Sequence, residues 1–248
     1  RLGHKNIRIL AKEPENYELF CEYIHVTTDA EKSRKVADTI RRRLGSAASP
    51  VLFQAVMADE SGIAGSGRRS SSSSFSITKA DALYRTLLLA FSMEYPDRVL
   101  ECLGNPYVLY LFELSRSVQN EAHHLLGFLR FKELRSGILF SEIHPKNDVL
   151  PILGEHFRDR LPQENFMIYD GTRKLALIHR AGAFDFLIAD ASTLDQNLIQ
   201  NYSDSELEYQ KLWCGFFESI TIEARKNPSL QNQNIPKRFQ KDTVEFQN

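Results

Sequence analysis

Histidine and arginine side chains, which can bind and protonate an anion, are concentrated in one stretch of the chain. Five of the seven histidines lie between positions 123 and 179, and six arginines lie between positions 130 and 180. Arginine binds phosphate or carboxylate through paired N–H groups, and histidine donates or relays protons near neutral pH. Asp170, three residues before Arg173, could orient a histidine or an arginine. The residue types therefore predict an anion-binding pocket in this stretch.

The spacing of these residues places several of them on common helix faces. On the first helix predicted in the stretch, His123, Gly127 and Arg130 stand at i, i+4 and i+7, which is one side of a helix. A glycine between two polar side chains leaves room for a ligand or another backbone. His156 and Arg160 stand one turn apart on the next predicted helix. A second interpretation stays open, in which these side chains pair with neighbouring carboxylates and satisfy helix ends.

The sequence predicts neither a metal site nor a bound cofactor. His123 and His124 are adjacent and so point about 100° apart on a helix, without a second ligand one turn away. Glu142 and His144 share a predicted strand face, but two ligands do not make a metal site. Cys214 lies in an apolar run, which favours a place in the core over nucleophilic chemistry. The sequence contains no serine-nucleophile elbow, zinc-protease helix, dinucleotide fingerprint or phosphate loop.

The elements that must position these residues predict an α+β protein with a helical N-terminal part. Residues 1–61 form an N-terminal α/β segment, with short strands predicted at 7–10 and 21–26 and helices after them. Residues 62–76 are rich in glycine and serine and predict a flexible insertion. Residues 77–248 predict a domain of helices and an antiparallel sheet, because helical periodicity gives way to alternation along the chain.

A β-hairpin is the clearest local prediction. Two alternating runs in NFMIYDGTRKLALIHR flank Asp170 and Gly171, a pair that favours a tight turn. The later run FDFLIAD extends the hairpin into a meander, and GILFSEIHP before it predicts a further strand. The aromatic residues that recur here at helical or strand period are predicted to be core rather than surfaces for stacking bases.

The charge of the chain is balanced overall but segregated along it. The 31 Lys and Arg residues against 32 Asp and Glu residues exclude a polycation. Residues 116–180 and residues 221–248 each carry a net charge of +2, whereas residues 181–220 carry −6. The basic segments keep a local anion site possible, and the acidic segment could be a docking surface.

The composition predicts a soluble cytoplasmic protein. No apolar run approaches the ~18 residues of a membrane helix, and the first ten residues do not resemble a signal peptide. Three widely spread cysteines do not suit a disulfide framework.

From Val118 onward the chain resembles the bacterial family named "probable DNA metabolism protein". The resemblance is carried by VQNEAHHLLGFLRF, EIHPKNDVLPILGEHFRDR, NFMIYDGTRKLAL and LWCGFFESITIEARKNPSLQNQNIPKRF. Positions that match the family motif are Glu121, His123, Gly127, Arg130, Phe131, Pro145, His156, Phe157, Arg160, Asp170, Arg173, Trp213, Arg225, Asn227, Pro236 and Arg238. His124, Phe166 and Gln240 depart from it, and Gln240 weakens any role for a terminal aromatic in base stacking.

The resemblance implies a role in DNA repair or modification without supplying a reaction. The family's core is a domain of unknown function, sometimes fused to a uracil-DNA glycosylase domain and encoded beside a radical-SAM DNA repair or modification protein. It therefore implies DNA as a ligand and a radical-SAM or uracil-DNA glycosylase-type protein as a partner. Glycosylase activity does not follow, because the chain contains no uracil-pocket motif.

Three functional hypotheses follow from these observations. The first is a nucleic-acid- or phosphate-binding accessory protein, with binding residues Arg130, Arg160, Arg173, Arg225, Asn227 and Arg238. The second is an enzyme acting on a nucleic acid or another anionic substrate, with catalytic candidates His123, His156 and Asp170. The third is a protein-docking module that uses the acidic face of residues 185–220.

Overall fold

A computed structural model of the chain describes residues 6–11, 13, 16–60, 77–240 and 243. The insertion predicted at 62–76 lies outside the described residues. The chain divides into two compact units, Arg1–Gln119 and Asn120–Asn248.

The first unit is built from helices whose ends are set by capping residues. Helix α1 spans Ala30–Met57, and Asp29 caps it by accepting hydrogen bonds from two backbone N–H groups at 3.0 Å. Gly45 interrupts α1 with φ 66° and ψ −167°, a conformation open only to glycine. Helix α2 spans Lys79–Ser92 and begins at the cap Thr78.

The strands predicted at 7–10 and 21–26 are wrong, because both segments lack regular secondary structure. Ile24 and Val26 in the second segment are 76% and 81% exposed. Their β-branched side chains favour extended backbone, but a strand also needs a hydrogen-bonding partner. In the described part of the first unit no such partner strand occurs.

Helix α3 spans Pro106–Phe128, and the second unit begins within it at Asn120. The strands are β1 Lys132–Glu133, β2 Leu139–Ile143, β3 Phe166–Asp170, β4 Leu175–His179 and β5 Phe186–Asp190. The later helices are α4 Leu150–Arg160, α5 Gln196–Ile199, α6 Asp204–Ile220, α7 Pro228–Asn234 and α8 Lys237–Gln240. Short 3-10 helices span Pro96–Glu101 and Glu223–Arg225.

The sheet confirms the predicted α+β class. Its strand order is β1-β2-β3-β4-β5, and three of its four pairings are antiparallel. The exception is β2 with β3, which run parallel and are joined through α4, because a parallel pair needs a long crossover. Ile143 pairs with Asp170, so the carboxyl ends of β2 and β3 meet at one edge of the sheet.

The predicted hairpin is present as β3 and β4. Asp170 pairs with Leu175, so the connecting turn has four residues, and the left-handed residue is Lys174 with φ 58°. Gly171 has another role. A Cβ atom there would lie 2.6 Å from Nε2 of His144, so the glycine lets the two loops at this edge pack closely.

Helix α4 packs directly on one face of the sheet. A Cβ atom on Gly154 would lie 2.5 Å from Cδ1 of Leu177 and 2.7 Å from Cζ of Phe186, so the α4 backbone touches β4 and β5. The opposite face carries a separate apolar cluster formed by Leu134, Phe140, Tyr169, Ala176 and Ile199. The core prediction for aromatic residues is confirmed at Phe140, Phe157, Phe166 and Tyr169, which are buried.

Helix α6 differs from the other long helices because none of its residues is buried. Cys214 is only half-buried, so its predicted place in the core is wrong. No helix in the described part of the chain is long and apolar enough to cross a membrane.

Candidate functional site

Polar and charged residues meet at the edge where β2 and β3 both end. The chain leaves β2 through His144–Asp148 and leaves β3 through the turn at 171–174. Helix α3 and helix α8 each add one charged residue. The resulting group, called here the β2–β3 edge site, consists of Glu121, Lys146, Asn147, Asp148, Asp170, Arg173 and Arg238.

Glu121 of α3 is a buried carboxylate whose two oxygens hold the loop after β2. Oε1 accepts a hydrogen bond from the backbone N–H of Lys146 at 3.0 Å. Oε2 accepts hydrogen bonds at 2.7 Å from the backbone N–H and from the side-chain amide of Asn147. Arg238 completes the set with Nη1 at 3.0 Å from Oε1. Since Glu121 is only 2% exposed, these partners are what make its buried charge tolerable.

Asp170, the last residue of β3, holds the other side of the site. It is fully buried, and its Oδ1 accepts hydrogen bonds from the backbone N–H groups of Thr172 and Arg173 at 2.9 and 3.1 Å. Its Oδ2 accepts from Nη1 of Arg173 at 3.0 Å. Arg173 also donates to the carbonyl oxygens of Pro145 and Lys146. Asp170 therefore both shapes the turn and fixes the guanidinium of Arg173.

Two arginines from distant parts of the chain thus bracket one residue, Lys146. Arg173 binds the carbonyl oxygen of Lys146, and Arg238 binds the carboxylate oxygen that accepts the Lys146 N–H. The side chains of Arg173 and Arg238 keep 24% and 39% of their surface exposed, and Lys146 is exposed. A buried carboxylate fixes each guanidinium in place while part of its surface faces solvent.

Asp148 lies beside this group in an unfavourable environment for a carboxylate. Burial raises the pKa of Asp148, the nearby charge of Asp170 raises it further, and Arg173 opposes the shift. Oδ1 of Asp148 is buried and accepts no hydrogen bond from any residue that the structure describes. Asp148 therefore keeps its proton to a higher pH than an ordinary aspartate does.

His144 and Glu142 line the rim of the site. Nε2 of His144 lies 3.5 Å from Oε1 of Glu142, directly over Gly171. The two side chains are 51% and 39% exposed. Within the described ranges no group of three or more His, Cys, Asp or Glu residues is arranged to hold a metal ion.

Three of the residues predicted for function lie in the β2–β3 edge site: Asp170, Arg173 and Arg238. Two others have structural roles elsewhere. Arg130 donates to the carbonyl oxygens of Gly127 and Leu129 at 2.9 and 3.2 Å, after the end of α3. Asn227 caps α7 by accepting from the N–H of Leu230 at 3.1 Å.

The remaining predicted residues are exposed and are not joined to one another. His123 lies on α3, whereas His156 and Arg160 lie on α4, and Arg225 ends a short 3-10 helix. In the described structure no hydrogen bond or ring contact joins His123 to His156. Of the other histidines in the stretch, His179 is buried, with its ring nitrogens 3.0 and 3.2 Å from two backbone carbonyl oxygens.

A family model for a domain of unknown function, DUF4130, matches residues 78–245, well over half of the chain. The chain belongs to the DUF4130 family. The matched region of this DUF4130 protein contains the whole β2–β3 edge site and all nine residues that the sequence predicted for function. No curated protein and no solved structure shows a significant match to the chain.

Lys146 and Asp148 of the DUF4130 protein were missed as site residues. Both stand in His-Pro-Lys-Asn-Asp, a polar run that begins directly where the predicted strand ends. Polar residues after a strand are a usable signal only when a neighbouring strand ends at the same edge. The sequence predicted an antiparallel sheet and therefore did not place the carboxyl ends of β2 and β3 together.

Proposed function

We propose that this DUF4130 protein is an accessory protein of DNA metabolism that binds the phosphate backbone of nucleic acid at the β2–β3 edge site. The observation that carries the proposal is the pair Arg173 and Arg238, held on either side of Lys146. Three basic residues from three segments keep part of their surface exposed, whereas the carboxylates that pair with the two arginines, Glu121 and Asp170, are buried.

The fixed geometry of the arginines favours binding of an anion. Asp170 and Glu121 restrict the rotamers of the two guanidinium groups, so binding a phosphate requires little further ordering of long side chains. Arginine matches phosphate geometry with paired N–H donors, and Lys146 adds a flexible point charge.

The resemblance to the "probable DNA metabolism protein" family supports DNA as the ligand. On the same ground the partner in the cell is proposed to be a radical-SAM repair or modification protein, or a uracil-DNA glycosylase-type protein. The alternative of an enzyme has less support. Its two histidines, His123 and His156, are exposed on different helices, and both carboxylate oxygens of Asp170 are already hydrogen-bonded.

Fluorescence anisotropy with labelled single-stranded and double-stranded oligonucleotides tests the proposal. The variant Lys146→Glu reverses an exposed charge without touching either buried carboxylate, and we expect it to weaken binding about tenfold. The matched control is Arg180→Glu, since Arg180 is exposed at the opposite edge of the sheet, just after the residue that pairs with the start of β3. Equal effects of the two variants, or no binding by the wild type, would overturn the proposal.

A further inference from the structure

We propose that the apolar face of α6 binds a basic amphipathic helix of a partner protein. The face is formed by Tyr209, Leu212, Trp213, Phe216 and Ile220. Their spacing of three and four residues places them on one side of the helix. This surface is separate from the β2–β3 edge site and from the function proposed for it.

The large apolar side chains of this face are exposed side by side, whereas apolar residues on a protein surface are usually scattered singly. Tyr209 and Leu212 are each 68% exposed, Ile220 is 57% exposed, Phe216 is 54% exposed and Trp213 is 44% exposed. A contiguous set of large apolar side chains on a soluble protein marks an interaction site. A helix presenting such a set pairs most readily with another helix through the same spacing.

The charge of α6 selects the chemistry of its partner. The helix carries four acidic residues, Asp204, Glu206, Glu208 and Glu218, against the single basic residue Lys211. It lies in the segment 181–220, whose net charge is −6. Charges beside an apolar helix face decide which partner helix is accepted, because like charges repel and opposite charges attract. A basic helix satisfies this rule, whereas a second copy of α6 would oppose it.

The N-terminal end of α6 is fixed before any partner binds. Ser203 caps the helix and also donates from its backbone N–H to the carbonyl oxygen of Glu133 at 3.0 Å. Glu206 accepts from the N–H of Glu133 at 3.1 Å, and Asp204 pairs with Arg135 at 2.7 Å. The contacts with Glu133 tie the helix to β1. Glu208 takes part in none of these contacts, so reversing its charge disturbs none of them.

Trp213 is the single tryptophan of the chain, so its fluorescence reports directly on this face. The probe is a synthetic tryptophan-free helical peptide of about 18 residues, with leucine on one face and lysine on the other. A second peptide carries glutamate in place of lysine. We expect the lysine peptide to shift Trp213 emission to shorter wavelength with saturation, and the glutamate peptide to leave the emission unchanged.

Variants of the full-length protein locate the binding surface. Leu212→Ser removes an exposed residue of the face and is expected to weaken lysine-peptide binding at least about tenfold, and Glu208→Lys to weaken it several-fold. The control is Leu207→Ser, because Leu207 is 44% exposed on α6 but lies outside the face. Far-UV circular dichroism verifies that each variant is folded.

Three outcomes would overturn the proposal. An equal response to both peptides would show that binding does not depend on the charge of the peptide. Equal loss of binding in Leu207→Ser and Leu212→Ser would show that the peptide does not bind at the proposed face. A shift of Trp213 emission with protein concentration alone would assign the face to a second copy of this chain instead.

Discussion

Arg238 of α8 places Nη1 3.0 Å from Oε1 of Glu121, a carboxylate of α3 that is 2% exposed. The neighbouring Phe239 is buried, and its ring lies 5.8 Å from that of Phe128 and 5.5 Å from that of His124. The C-terminal helix is thus fixed to α3 by an ion pair and by aromatic contacts. The same ion pair places a guanidinium beside the loop that follows β2.

Removing Glu121 is expected to be strongly destabilising. Glu121→Ala leaves the backbone N–H groups of Lys146 and Asn147 and the guanidinium of Arg238 without their shared acceptor. Breaking a buried charged pair by removing one partner costs about 3–5 kcal/mol. Urea unfolding followed by Trp213 emission measures the loss, because Trp213 lies in the second unit. The exposed Glu155 offers the control Glu155→Ala, expected to change stability by less than about 0.5 kcal/mol. Similar midpoints for the two variants would contradict the anchoring role of Glu121.

Asp148 gives the site a pH dependence of defined sign. Its pKa in the folded protein is raised above the ordinary 3.8, so the folded state binds the proton more tightly than the unfolded chain. Stability therefore falls as pH rises from the unfolded pKa through the folded pKa, and the cost is fully present above the folded pKa. Asp148→Asn abolishes this ionisation and keeps an oxygen for the N–H of Leu150. We expect a higher urea midpoint than wild type at pH 7 and no gain at about pH 3.

The control for this titration is Asp185→Asn, at an exposed position of the same unit. We expect it to produce no pH-dependent gain. A gain for Asp148→Asn that persists unchanged at about pH 3 would show that the effect does not come from ionisation.

Two glycines in long helices are expected to respond in opposite ways to alanine. Gly154→Ala places a methyl group against Leu177 and Phe186 at 2.5–2.8 Å, so it should destabilise by about 1–3 kcal/mol. Gly215→Ala, in α6, meets nothing within 4 Å and should stabilise by up to about 1 kcal/mol through helix propensity. Thermal unfolding of both variants measures these changes in stability. Stabilisation by Gly154→Ala would contradict the close contact of α4 with the sheet, and destabilisation by Gly215→Ala would contradict the open surroundings of that position.

Local chemistry made much of the fold predictable from the sequence. Asp29 and Gly45 mark a helix start and a helix interruption through hydrogen bonding and backbone freedom, which depend on few neighbours. The hairpin at Asp170 follows from alternation on both sides of a turn. Pro151 lies in the first turn of α4, where its missing N–H costs nothing.

The site itself depends on pairings between distant residues that local periodicity does not specify. The parallel contact of β2 with β3 places Asp170 beside the loop carrying Lys146, and Arg238 arrives from the C-terminal helix. Spacing on single helices instead singled out His123 and His156, which share no element and no contact. The sequence also did not reveal that the apolar face of α6 is exposed, because apolar residues have the same spacing in a core helix and in a helix that binds a partner.

The most direct measurement of the central claim is the salt dependence of DNA affinity for the wild type and for Lys146→Ala. The logarithm of the association constant is plotted against the logarithm of the salt concentration between about 50 and 200 mM. The slope of this plot gives the number of phosphate contacts. We expect a clearly negative slope for the wild type, a slope shallower by about 1 for Lys146→Ala, and an unchanged slope for Arg180→Ala. Binding that does not respond to salt, or a slope that Lys146→Ala leaves unchanged, would contradict phosphate binding at the β2–β3 edge site.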